Sequence, residues 1–295
     1  MTEFRSGFVA LVGRPNVGKS TLVNRILGRK VSITSSKPQT TRHRIAGVLT
    51  GPSTQLVLLD IPGFQKPRDA LTSRMQRLVN ETLTEVDSVL FMLNGAETVG
   101  GGDRFIARAL SEARTPVVVA VNKVDLLSPE QAQARLETAR SLADFHGAHL
   151  VSALEGAGVD GLVAELLALL PEGPEYFPAG VVTDQPEIRL VAEFIREKAI
   201  ALTEQEVPHA LAVEVLEFEP RIGRELVDIR AAIYVERDSQ KPIVLGEDGA
   251  RIKRIGSEAR RDIERLLGTR VFLELVVKVR RHWRENTRML DTLGL

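Results

Sequence analysis

From Phe8 to about Leu170, short runs of apolar residues alternate with longer amphipathic stretches. The short runs are FVALV (Phe8–Val12), IAGVL (Ile45–Leu49), QLVLLD (Gln55–Asp60), SVLFML (Ser88–Leu93), PVVVAVN (Pro116–Asn122) and HLVSA (His149–Ala153). Each has the length of a strand. Because they are apolar nearly throughout, and not at alternate positions, they predict strands buried on both faces. Helical patterns lie between most of them, including Ser20–Leu27, Arg104–Glu112 and Pro129–Phe145. Strands alternating with helices predict an α/β domain, a mainly parallel sheet with helices on both faces.

The pattern breaks at PEGPEYFPAGVVTDQP (Pro171–Pro186), where four prolines and two glycines fall within 16 residues, a composition that reads as a linker. Beyond it the order changes. A helix (Glu187–Thr203) precedes two long strand patterns, HALAVEVLEFE (His209–Glu219) and VDIRAAIYVERD (Val227–Asp238). A helical region, Ala250–Leu267, and a last strand, RVFLELVVKVR (Arg270–Arg280), follow. This order predicts a small α+β domain whose sheet is at least partly antiparallel. The expected organisation is a first domain over 1–170, a linker over 171–186 and a second domain over 187–295.

Composition adds two constraints. There is no cysteine, which removes disulfides and thiolate metal sites and suits a reducing compartment. The first residues, MTEFRSG, enter the first strand without a long apolar region, and no run approaches a spanning helix, so a cytosolic protein is expected. Formal net charge is zero, yet Arg251–Arg288 holds 12 Lys/Arg against 5 Asp/Glu, a balance of +7. Such a basic region is the footprint of a nucleic-acid partner or, equally, a solvated helix face.

Two glycine-bounded loops carry the chemistry. GRPNVGKS (Gly13–Ser20) matches G-x-x-x-x-G-K-[ST] between a strand and a helix. Gly13 and Gly18 let the backbone wrap a polyphosphate whose oxygens accept N–H groups of the loop, from Asn16 and Val17 to the helix start at Thr21. Lys19 is suited to the β/γ-phosphates and the Ser20 hydroxyl to Mg²⁺. Further strings follow in order, each at the C-terminal end of a strand, where such sheets bind ligands. DIPG (Asp60–Gly63) offers a carboxylate to hold Mg²⁺ through water and an N–H for a γ-phosphate. NKVD (Asn122, Lys123, Val124, Asp125) offers a carboxylate that can accept from the N1–H and the exocyclic amine of guanine. SAL (Ser152, Ala153, Leu154) can set a backbone N–H at the guanine oxygen.

Together these strings resemble the translation-factor-like branch of the Ras-like GTPases over roughly Phe8 to Leu170. The resemblance implies a P-loop GTPase fold, GTP and GDP as ligands, and a switch threonine that binds Mg²⁺ only with GTP. That threonine falls in QTTRHR (Gln39–Arg44), with Thr41 favoured over Thr40. Lys19, Thr41, Asp60 and Gly63 are then expected at the reacting phosphate, and Ser20, Thr41 and Asp60 at Mg²⁺. Where Ras-like enzymes carry a water-orienting glutamine, this chain has Phe64; Gln65 would need a shifted loop to substitute. The resemblance supplies another solution, in which Asn16 helps coordinate a K⁺ ion that stabilises transition-state charge. The alternative is that Asn16 only shapes the loop.

The second loop, GEDGARIKRIG (Gly246–Gly256), lacks the Lys-Ser pair and is not followed by a guanine-reading string. V-L-G-x-x-G-x-x-I-K-x-I-G resembles the KH RNA-binding module of the type II order, with Gly246 and Gly249 as its GxxG turn. The resemblance implies that Gly246 and Gly249 let the backbone approach about four unpaired nucleotides. Ile252 would serve as part of the platform, and Arg251, Lys253 and Arg254 would attract phosphate. Glu247 and Asp248 depart from a phosphate-facing loop. In the tail, Arg280, Arg281 and Trp283 are candidates for RNA contact, with packing as the other role for the tryptophan.

A GTPase joined to a KH domain, with YFP (Tyr176–Pro178), TDQP (Thr183–Pro186) and KVRRHW (Lys278–Trp283), resembles the bacterial GTPases of small-ribosomal-subunit maturation. This implies a GTP-hydrolysing monomer that binds the 3′ end of 16S rRNA and the small (30S) subunit. Nucleotide state would act through the loops around Thr41 and Gly63. Neither an anchor nor a clear amphipathic basic helix demands a place at the inner face of the cell membrane. Two other classes compete: a switch for a protein or membrane partner, with the KH unit as a docking domain, and a metabolic NTP-dependent enzyme, for which no second catalytic constellation is found.

Overall fold

The computed structural model of the protein describes residues 3–112 and 115–295, which form two compact units. The first comprises 1–32, 41–67 and 74–184; the second comprises 33–40, 68–73 and 185–295.

The first unit is built on a six-stranded sheet. Its strands are β1 (Arg5–Val12), β2 (Ile45–Thr50), β3 (Thr54–Asp60), β4 (Ser88–Asn94), β5 (Val117–Asn122) and β6 (Gly147–Val151), in the order β2-β3-β1-β4-β5-β6. Only β2 runs antiparallel. The helices are α1 (Lys19–Leu27), α2 (Ala70–Leu83, whose first turn groups with the second unit), α3 (Gly101–Ser111), α4 (Pro129–Arg140) and α5 (Val159–Ala168). The continuous apolar runs explain the layering, because successive residues of a strand point to opposite faces. Ala10, Val12, Val57 and Phe91 join a core with Val79, Ile106 and Leu136 on one face. Val9, Leu11, Leu58 and Met92 join a second core with Leu22, Leu162 and Leu166 on the other.

The proline-rich stretch is not a free linker. Ser6 N–H donates to Pro171 O, Gln55 Nε2 to Phe177 O and Val48 N–H to Val182 O, so Pro171–Asp184 lies along the first unit. Proline and glycine there enforce extended backbone and turns, which composition alone cannot tell from mobility.

The second unit contains α6 (Glu187–Ala201), α7 (Val207–Ala210), β7 (Ala212–Pro220), β8 (Leu226–Val235), α8 (Gln240–Leu245), α9 (Ala250–Leu267), β9 (Arg270–Val279) and α10 (Thr287–Thr292). The sheet order is β7-β8-β9, antiparallel then parallel, which leaves β9 at an edge. Ile255, Ala259 and Ile263 recur every four residues and bury one stripe of α9 in a core with Val191, Ile195 and Ile233, leaving its charged positions outward. One expectation changes here. The start of the HALAVEVLEFE run is the short helix α7, with Pro208 at its beginning, where the missing N–H costs nothing. The apolar run before the GxxG turn is the helix α8. Residues 33–40 belong to this unit through Ile33 in its core, Thr34 N–H donating to Glu197 Oε1 at 3.0 Å, and Arg196 donating to Thr40 O. Among the described residues, no helix is long and apolar enough to cross a membrane.

Candidate nucleotide site and nucleic-acid groove

In the first unit, β1 ends at Val12 and α1 begins at Lys19, so the intervening loop faces a helix N-terminus at the C-terminal end of the sheet. Gly18 caps α1 in the left-handed region at φ 103°. A Cβ there would fall 2.1 Å from Asn122 Nδ2, so both conformation and space require glycine. That amide donates to Val17 O at 2.8 Å, while Asn122 Oδ1 accepts from Ala153 N–H at 2.9 Å. Asn122 is therefore a buried tie between the phosphate loop and the SAL turn.

Lys19 is buried, with Nζ 3.4 Å from Gly13 O and 3.3 Å from Arg14 O. Burial pushes its ammonium down to about 8, against the pull of Asp60. Asn16 takes a left-handed backbone at φ 65°, and Thr21 lies in the first turn of α1, where N–H groups lack helical partners. The sequence did not single out Arg14, an unspecified position of the motif. Its Nη1 lies 3.2 Å from buried Asp103 Oδ2 and its Nη2 pairs with Glu97, which fastens the loop to the start of α3.

Ser20, Thr41 and Asp60 come together from three elements. Ser20 Oγ donates to Asp60 Oδ2 at 2.6 Å and lies 3.0 Å from Thr41 Oγ1. Thr40 Oγ1 instead donates to Lys37 O at 2.7 Å, so of the two threonines it is Thr41 whose hydroxyl lies at Ser20. Asp60 is fully buried, and burial pushes its carboxyl up against the opposing pull of Lys19 and Ser20. Among the described residues its Oδ1 makes no close hydrogen bond, with the Ser32 hydroxyl near enough to favour its charged form. Two hydroxyls beside a buried, half-satisfied carboxylate form a hard oxygen set that fits Mg²⁺ and would hold it there.

Gly63 packs on the phosphate loop: a Cβ would fall 2.8 Å from Pro15 N, and Phe64 N–H donates to Gly13 O at 3.2 Å. Phe64 rests on the first-unit core and Gln65 Nε2 lies 3.7 Å from Met75 Sδ. At the base turn, Lys123 is left-handed at φ 68°, and Asp125 Oδ1 accepts from Ser152 Oγ at 2.5 Å, which orients the carboxylate. Ala153 N–H is engaged by Asn122, which leaves Leu154 N–H as the remaining donor of the SAL turn.

In the second unit, Gly246 and Gly249 bracket a tight turn that opens α9, and a Cβ on Gly246 would fall 2.8 Å from Arg251 N. Glu247 and Asp248 are exposed at its tip. Beside the turn, α9 and edge strand β9 enclose a groove of about 510 Å³. Ile252, Lys253, Gly256 and Arg260 form one wall and Phe272–Leu275 the other. Several of the residues expected at RNA have partners within the unit. Arg251 donates to Ile243 O, and Arg254 Nε pairs with Glu258 at 2.8 Å. Arg280 lies over the Tyr234 ring and Arg281 Nη2 pairs with Asp238 at 2.7 Å. Trp283 is 1 % exposed with Nε1 donating to Ala210 O at 2.9 Å. Its buried indole and this hydrogen bond give it a packing role.

The fold and the two sites define a P-loop GTPase carrying a KH module. Family models agree: "50S ribosome-binding GTPase" matches residues 8–123 and "KH domain" matches 206–284. Era in complex with MgGDPNP and nucleotides 1506–1542 of 16S ribosomal RNA is similar at 39% identity, 99% coverage of both chains and a TM-score of 0.95. A substituted Era of Aquifex aeolicus bound to GDP·AlF4⁻ is 38% identical with the same coverage and TM-score. The chain belongs to the Era family.

Proposed function

We propose that the chain is a Mg²⁺-dependent GTPase that binds single-stranded RNA at the 3′ end of 16S rRNA and acts in the cytoplasm in small-subunit assembly. The observation that carries the GTPase reading is the convergence of Ser20, Thr41 and Asp60 beside Lys19, with Asp60 Oδ1 buried and making no close hydrogen bond among the described residues. The Era relative solved with 16S rRNA nucleotides supports the RNA reading, as does a groove walled by Lys253, Arg260 and an open strand edge.

The roles follow from position. Loop N–H groups and the Lys19 ammonium bind and orient the phosphates, and Asp125 with Ser152 selects guanine. Thr41 and Gly63 sense whether a γ-phosphate is there to hold their loops. Mg²⁺, when bound, neutralises charge on the phosphate oxygens. Phosphate release should be seen with GTP and not with ATP; preference for ATP would contradict the guanine reading.

The exposed acidic pair Glu247–Asp248 favours one competing reading, a switch whose KH unit docks a protein. Absence of RNA binding in both nucleotide states would favour it.

A further inference from the structure

We infer that Arg25 is a positioning residue for base recognition: from α1 it holds the SAL turn so that Leu154 N–H meets the guanine oxygen, an inference that rests on the guanine reading above. The other N–H groups of the turn are taken. Ala153 N–H donates to Asn122 Oδ1 at 2.9 Å, Glu155 N–H to Ser152 Oγ at 3.0 Å and Gly156 N–H to Ser152 O at 2.7 Å. Among the described residues of the turn, that leaves Leu154 N–H for a ligand.

Arg25 binds the carbonyls of the same turn. Its Nε lies 3.2 Å from Ala153 O, and its Nη2 donates to Leu154 O. The side chain also runs along Gly156, which is left-handed at φ 91°; a Cβ there would fall 3.8 Å from Arg25 Cδ. The bond to Ala153 O carries the argument, because that carbonyl and Leu154 N–H are the two ends of one planar peptide unit. A cation donating to the oxygen fixes the plane in which the N–H points. It also polarises the unit, so that the N–H donates more strongly. A planar fork on successive carbonyls sets successive peptide planes, which a flexible ammonium does less well. Arg25 stands in the last turn of α1, where the helix carbonyls favour a cation.

Asp125 and Arg25 then act on different edges of the base. Asp125, oriented by Ser152, accepts from the N1–H and the exocyclic amine, whereas Arg25 acts through the peptide that meets the oxygen. Were Arg25 a surface tie only, every purine nucleotide would feel its loss alike.

The test measures the affinity of the full chain for GTP and two analogues. Inosine triphosphate lacks the exocyclic amine; 6-thioguanosine triphosphate keeps both donors but presents sulfur, a weaker acceptor, in place of the oxygen. The wild type should prefer GTP to both. Arg25→Ala should weaken GTP binding about three- to tenfold, the range of one net hydrogen bond. It should shrink the preference over the thio analogue by a similar factor and leave the preference over inosine triphosphate unchanged. Arg25→Lys, which keeps the charge without the fork, should recover part of the loss. Unchanged affinities in Arg25→Ala, an equal loss for all three nucleotides, or a wild type indifferent to the sulfur would overturn the inference and leave the guanine reading standing. A wild type that binds ATP as well as GTP would overturn both.

Discussion

Ser20 Oγ donates to Asp60 Oδ2 at 2.6 Å, while Oδ1 of the same carboxylate is buried and makes no close hydrogen bond among the described residues. A buried half-satisfied carboxylate costs stability unless something else satisfies it. Asp60→Asn removes one desolvated charge but leaves the buried Lys19 ammonium without its opposing one, so the unliganded protein should lose stability. The same change should weaken Mg²⁺-dependent nucleotide binding about 10- to 100-fold, the usual loss for a group acting through a metal's outer shell. Titrating Mg²⁺ against GTP-analogue binding checks this, and an unchanged half-saturation would place the ion elsewhere.

Asp125 is oriented by the Ser152 hydroxyl at 2.5 Å. Asp125→Asn replaces an acceptor with a donor where guanine presents donors, so GTP binding should fall. Xanthosine triphosphate, which carries a carbonyl in place of the exocyclic amine, should bind better than to the wild type. Competition between the two nucleotides measures the exchange of preference.

Phe64 packs on the core and Gln65 lies against Met75, so another source of transition-state stabilisation is needed. With Asn16 holding K⁺ near the phosphates, GTP hydrolysis should be faster in K⁺ than in Na⁺ at matched ionic strength. Asn16→Ala should erase the difference. Equal rates in the two salts for the unsubstituted chain would leave Asn16 as a loop-shaping residue.

Trp283 is a structural residue of the second unit. Trp283→Ala should cost about 3–5 kcal/mol of stability through the cavity and the unpaired Ala210 carbonyl. Circular dichroism in urea reads the loss. Trp283→Phe should recover most of the packing and none of the hydrogen bond. An unaltered urea midpoint together with lost RNA binding would make the indole a base contact.

What the sequence made legible was local. Gly13–Ser20 could be read because the phosphate-binding chemistry lies within one strand-turn-helix, and the α9 span could be read because Ile255, Ala259 and Ile263 keep a helical period. What it hid depends on distant partners. Arg14 occupies an unspecified motif position, and only the fold brings Asp103 and Glu97 to it. Thr40 and Thr41 are alike in sequence until one turns to Lys37 and the other to Ser20. Phe272 reads as one apolar strand residue among several, and its exposure follows from its facing the side of the sheet away from α9. Pro171–Asp184 misled because proline signals extended backbone whether or not a neighbouring strand receives it.

The central claim is that a GTP-binding unit and an RNA-binding KH unit share this chain. Its most direct test is the affinity of the full protein for single-stranded RNA of the 16S 3′ end, measured by fluorescence anisotropy with a GTP analogue and with GDP. The account predicts specific binding that depends on nucleotide state, weakened when Lys253 and Arg260 are both changed to Ala and strengthened by Glu247→Lys with Asp248→Gly. No binding in either nucleotide state would contradict it.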